Sequence, residues 1–72
     1  MTEVRAEITA NVWQVHVEAG QEVAEGDTVV ILESMKMEIP VLTEVPGVVR
    51  EIHVEPEDVV QEGDLIALID ES

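Results

Sequence analysis

Two stretches of the chain alternate apolar and polar residues with a period of two. In the first, Trp13, Val15 and Val17 are separated by Gln14 and His16; in the second, Arg50, Ile52 and Val54 are separated by Glu51 and His53. Such alternation predicts half-buried strands, with Trp13 packed inward beside Val15 and Val17, in the core or at one end of it. Each stretch leads into a polar turn, Glu25-Gly26-Asp27 or Glu62-Gly63-Asp64. The glycine there supplies the positive φ that a tight turn needs. A continuous apolar strand follows each turn, Thr28–Leu32 and Leu65–Ile69. No window shows sustained helical spacing, and Pro40, Pro46 and Pro56 interrupt any helix. Pro40 falls in a strand-like run and predicts an edge strand there, because proline cannot donate to a ladder.

The two stretches belong to an internal repeat. Shifted by 37 positions, Val4–Glu33 falls on Val41–Asp70, and 10 of the 30 pairs are identical, from Val4/Val41 to Asp27/Asp64. Two copies are too few for a solenoid. The expected architecture is therefore all-β: one domain over residues 1–72, a flattened antiparallel β-barrel or sandwich with internal pseudo-two-fold symmetry. Its halves cover about residues 4–33 and 41–70, and closing them on each other removes most open strand edges. By that symmetry Lys36 would fall on position 73, just beyond the last residue. It is thus expected at one tip of the barrel, on the hairpin joining the halves, with the termini at the opposite end.

Composition narrows the function. At 72 residues the chain is short enough that its core is marginal, since such a domain buries only ~60% of its unfolded surface. It has no cysteine, so neither a disulfide nor a thiolate metal site staples it. Its 17 acidic residues against 3 Lys+Arg give a net charge of −14, which argues against nucleic acid and anionic membranes as partners. Met1–Arg5 lacks the apolar core of a signal peptide, and the longest apolar run, Leu65–Ile69, is too short to span a bilayer. A cytoplasmic location is the default expectation.

The chain has one lysine, Lys36, within Glu33-Ser34-Met35-Lys36-Met37-Glu38. The flanking strands end at Glu33 and resume at Met37, so Met35-Lys36 is the expected two-residue turn. Such turns favour Asn-Gly or Gly-X. A poor turn dipeptide at a loop tip suggests that side-chain identity outweighs local stability there.

This hexapeptide is similar to the attachment hairpin of biotinyl domains. With the Gly-Asp turn before it and Pro46-Gly47-Val48-Val49 after it, the chain resembles the biotinyl/lipoyl attachment domain family from about Ile8 to Asp70. It is most like the free-standing biotinylated carrier proteins of bacteria. The resemblance implies two sheets of roughly four strands each. It also implies biotin joined by an amide to Lys36, with Met35 and Met37 as recognition flanks and Glu33, Ser34 and Glu38 completing the hairpin. The implied partners are a biotin–protein ligase, a biotin carboxylase and a carboxyltransferase, and the domain itself does no chemistry. A lysine amine must lose its proton before it attacks, and no residue near Lys36 in the sequence is suited to take it, so that task falls to the ligase.

Two rival readings stand beside the biotin carrier. One is a lipoyl carrier, which usually has Asp before and Ala after the lysine. The other is an unmodified interaction domain with the same fold. The family often has glycine at the positions of Ala10 and Gly47, and a turn of positive φ is expected at Ala10-Asn11 and Gly47-Val48. Many carriers hang from an Ala/Pro-rich linker that this chain lacks, so it is either an excised domain or a diffusing carrier. His16 and His53 occupy equivalent repeat positions and suggest a metal pair, but a solvent-facing strand position suits them better. No catalytic triad, phosphate loop or calcium loop stands out.

Overall fold

The structure, a computed structural model, describes all residues from Met1 to Ser72. It contains eight strands and no helix: β1 (Thr2–Arg5), β2 (Ala10–Val15), β3 (Glu22–Val23), β4 (Thr28–Ser34), β5 (Met37–Leu42), β6 (Gly47–Ile52), β7 (Val59–Val60) and β8 (Leu65–Glu71). They form two four-stranded antiparallel sheets, β1-β8-β6-β3 and β5-β4-β2-β7. The chain crosses between sheets after almost every strand, so each half contributes two strands to each sheet. Neither half has a core of its own. Fifteen buried apolar side chains from both halves form one cluster, with Val29, Val30, Val49, Ile66, Ala67 and Ile69 fully enclosed.

The repeat in the sequence is a two-fold in space. Strands β2, β3 and β4 map onto β6, β7 and β8 residue for residue at the 37-residue offset. Side-chain turn closures repeat as well. The Ala24 N–H donates to Asp27 Oδ2 at 2.8 Å, and the Gln61 N–H to Asp64 Oδ2 at 2.9 Å. These acids close turns that Gly26 and Gly63 enter at φ of 90° and 91°. The expected turn glycines are therefore where they were read.

Two bulges repeat in each half and explain why simple alternation misreads part of the chain. Register slips between Val12 and Gln14 in β2, and between Val49 and Glu51 in β6. Each slip leaves one residue, Trp13 or Arg50, without a direct partner. Val12 points inward at 2% exposure and Trp13 is pushed out to 42%. The expectation that Trp13 packs in the core is thus corrected: a bulge places an extra residue in one strand and shifts the phase of the alternation. The other pair of slips skips Val29 opposite β5 and Ile66 opposite β1. There two consecutive side chains, Val29-Val30 and Ile66-Ala67, are both buried, which is why these strands read as continuous apolar runs.

A second correction concerns Ala10-Asn11 and Gly47-Val48. Neither pair has positive φ; Ala10 opens β2 and Gly47 opens β6. Gly47 is needed for space rather than for conformational freedom, because a Cβ built on it would lie 2.1 Å from the Asp70 carbonyl oxygen.

Positive φ does appear at Glu57, at 79°, where the first half has Gly20 at 92°. Their N–H groups make equivalent bonds, Glu57 to Val12 O at 2.8 Å and Gly20 to Val49 O at 2.7 Å. A Cβ in this conformation crowds the following carbonyl and costs roughly 1–2 kcal/mol. Glu57→Gly is therefore expected to stabilise the protein by about 0.5–1 kcal/mol once the extra freedom of unfolded glycine is set against the relief. Thermal unfolding followed by circular dichroism would show the gain as a melting temperature several degrees higher. An unchanged value would mean that Glu57 makes compensating contacts.

Candidate functional site

The hairpin β4–β5 carries the candidate residues. Ser34 pairs with Met37 and Glu33 with Glu38, leaving Met35 and Lys36 as a two-residue turn. Both turn residues have positive φ, 52° at Met35 and 65° at Lys36, as a type I′ turn requires. The right-handed twist of the flanking strands selects that turn, and the sequence fills it with two residues that have a Cβ. Left-handed conformation at non-glycine residues costs roughly 1 kcal/mol or more each. Glu33 and Glu38 add a like-charge pair directly across the strands, which is also unfavourable.

The side chains at this tip point to solvent. Met35 is 91% exposed and Met37 64%, so neither fills the core. Lys36 is exposed and forms no ion pair; the Arg5–Glu3 and Arg50–Asp70 ion pairs and the His53–Glu51 contact lie elsewhere. The arrangement holds one exposed primary amine at a hairpin tip of a body 35 Å long and 17 Å wide, flanked by two soft apolar side chains. It can offer that amine to a second protein's active site. The fold leads to this tip directly. The open side of β5 is protected by Pro40, which pairs with Ile31 on an edge strand, as its place in the sequence predicts.

Met35→Asn tests the strain in the turn. Asparagine tolerates positive φ, so stability is expected to rise by about 1 kcal/mol. Thermal unfolding followed by circular dichroism would read the change. A fall in melting temperature would locate the strain elsewhere.

The other residues considered from the sequence are not gathered at this tip. His16 and His53 face solvent on separate sheets' strand ends, each 2.7 Å from a neighbouring side chain, Gln14 Oε1 and Glu51 Oε1. No group of three metal-ligating side chains comes together. What alternation missed is the exposed Trp13 on the outer face of β2. The signal was present, because Ala10 and Val12 are inward in one phase and Val15 and Val17 in the other.

Comparison with known proteins bears on the fold and the family. The family described as biotin-requiring enzyme, the biotin/lipoyl attachment family, matches residues 2–69. The biotinylated protein TB7.3 homolog of Mycobacterium leprae is 56% identical over 46 residues, covering 64% of this chain and 65% of that protein. The chain thus spans less than two thirds of that relative's own length. Among solved structures, Kluyveromyces lactis urea carboxylase matches with a TM-score of 0.90 and 35% identity, over 96% of this chain and 6% of that one. The lipoyl domain of the 2-oxoglutarate dehydrogenase complex from Azotobacter vinelandii matches with a TM-score of 0.83 and 26% identity, over 99% and 98%. The family match takes in nearly the whole chain, residues 2–69 of 72, and this chain belongs to the biotin/lipoyl attachment family.

Proposed function

We propose that this protein is a biotin carboxyl carrier, with biotin joined as an amide to Lys36 Nζ. The observation that carries the reading is the tip itself: the only lysine of the chain, held at a strained two-residue turn between two exposed methionines. A turn built for stability alone would not be filled this way.

In this reading Met35 and Met37 are contacts for the enzymes that meet the hairpin; thioethers adapt to differently shaped surfaces. Backbone pairing at Glu33, Ser34 and Glu38 sets the register of the turn. A biotin–protein ligase joins the biotin carboxyl to the α-phosphate of ATP with loss of pyrophosphate and takes a proton from Lys36, and the free amine displaces AMP to form the amide. The long lysine stem and the valeryl chain then make an arm that enters a buried site while the barrel stays outside. That arm serves a biotin carboxylase and a carboxyltransferase in turn, and the likeness to a urea carboxylase supports such partners. Catalysis belongs to those enzymes, and the place of action is the cytoplasm.

The test is the intact mass of the protein after incubation with a biotin–protein ligase, ATP and biotin, followed by peptide mapping. One biotinyl group on the peptide containing Lys36 is the expected result. No biotin, with lipoate accepted from a lipoate ligase, would make the protein a lipoyl carrier. Refusal of both would leave an interaction domain.

A further inference from the structure

The outer face of the β5-β4-β2-β7 sheet carries an apolar spot that the attachment chemistry does not use. Trp13, the one aromatic residue of the chain, stands there at 42% exposure, and Val59 of β7 stands there at 66%. Val59 is the partner of Asn11, and Asn11 is the partner of Glu33. Trp13 lies in the bulge opposite the step from Leu32 to Ile31.

The two-fold shows that the fold does not need a tryptophan at this position. Its mate Arg50 occupies the same bulge in the other half and reaches Asp70 at 3.6 Å. Asp70 corresponds to Glu33. One bulge therefore carries a solvated ion pair, and the equivalent bulge on the sheet that ends in the Lys36 turn carries an exposed indole.

We propose that Trp13 is a resting site for the biotinyl ring carried by this chain's own Lys36. The inference rests on the carrier reading above. Trp13 is about four residues along β4 from the turn and one strand to the side, so the two Cα positions are roughly 15 Å apart from strand rise and spacing. The biotinylated lysine side chain has eleven bonds from Cα to the bicycle. An extended chain advances about 1.2 Å per bond, which gives an arm of about 13 Å. The indole and the bicycle span the remainder.

Chemistry favours this occupant. The biotinyl group is uncharged once its carboxyl is in the amide, so a chain of net charge −14 does not repel it as it would an anion. The ring offers an apolar face for Trp13 and Val59 and ureido N–H donors for the carboxylate of Glu33. One indole and one valine fit a bicycle, and they are far smaller than the ~800 Å² per partner of a stable protein interface. Tethering raises the local concentration to the millimolar range, so weak contacts are enough to populate the site.

Trp13 is its own reporter. Acrylamide quenching of its fluorescence would be compared between protein shown by mass to carry biotin on Lys36 and the unmodifiable Lys36→Arg variant. With the site about half occupied, the quenching constant is expected to be about twofold lower in the biotinylated protein. A second measurement takes the rate at which avidin captures the biotinylated protein, expected to be about twofold faster in biotinylated Trp13→Arg, where the ring has no resting place. Equal quenching constants and equal capture rates on fully biotinylated protein would overturn the resting site and leave the carrier reading intact. Absence of biotin on Lys36 would remove both.

Discussion

Lys36→Arg is expected to give a fully folded protein that takes up no biotin. The loss should be complete, because the chain has no second lysine to substitute. Arginine keeps the charge, but its guanidinium stays protonated and cannot be acylated as an amine can. Stability should stay within about 0.5 kcal/mol, since the side chain is exposed and unpaired. Circular dichroism and intact mass after ligase treatment read the two halves of this prediction. Biotin on the variant would show the assignment to be wrong, and the N-terminal amine would be the first place to look.

Gly47→Ala is expected to cause the largest loss of stability available to one methyl group in this protein. The added Cβ would meet Asp70 O at 2.1 Å, Asp70 C at 2.8 Å and Glu71 Cα at 2.9 Å, all of them backbone. No side chain can rotate away, so β6 and β8 must separate. Overpacking costs typically 1–3 kcal/mol where side chains can adjust, and about 3 kcal/mol or more is expected here. A domain of this length has only about 4–11 kcal/mol in all. Urea unfolding would show a midpoint reduced by about a third or more. An unchanged midpoint would mean that the β6–β8 ladder opens without cost at this end. The first half tolerates Ala10 at the equivalent position for a visible reason: its ladder begins at Asn11↔Glu33, whereas the second reaches one pair further, to Gly47↔Glu71.

The parts of this fold that were legible from sequence are those set by a repeated local rule. The 37-residue repeat locates the two-fold, and Gly26 and Gly63 mark their turns. Pro40 marks an edge, and Met35-Lys36 marks the joining turn. The bulges were misread because alternation assumes an unbroken ladder, and in both β2 and β6 one residue drops out of it. The three-residue step from Val12 to Val15 carries the phase change, but Trp13 between them looks like one more inward residue. Strands β3 and β7 escaped notice because two residues are too few to show any period. Gly47 was legible as a glycine but not in its purpose, since close approach of a strand distant in sequence leaves no local trace. At the tip, identity and position of Lys36 were readable, whereas the exposure of both methionines depends on the turn conformation.

The two-fold has a consequence for valency. Two periods of 37 residues make a ring of 74, and the chain has 72. Ser72 falls on Met35 and Met1 falls on Glu38, so the two empty positions correspond to Lys36 and Met37. A Lys-Met dipeptide joining Ser72 to Met1 would close the ring and complete a second hairpin tip between β8 and β1, which already pair from Thr2↔Ile69 to Arg5↔Leu65. Such a circular protein would have no ends to fray and two tip lysines related by symmetry. Valency is, in this sense, a property of closed hairpin tips: each tip that the two-fold closes can carry one lysine.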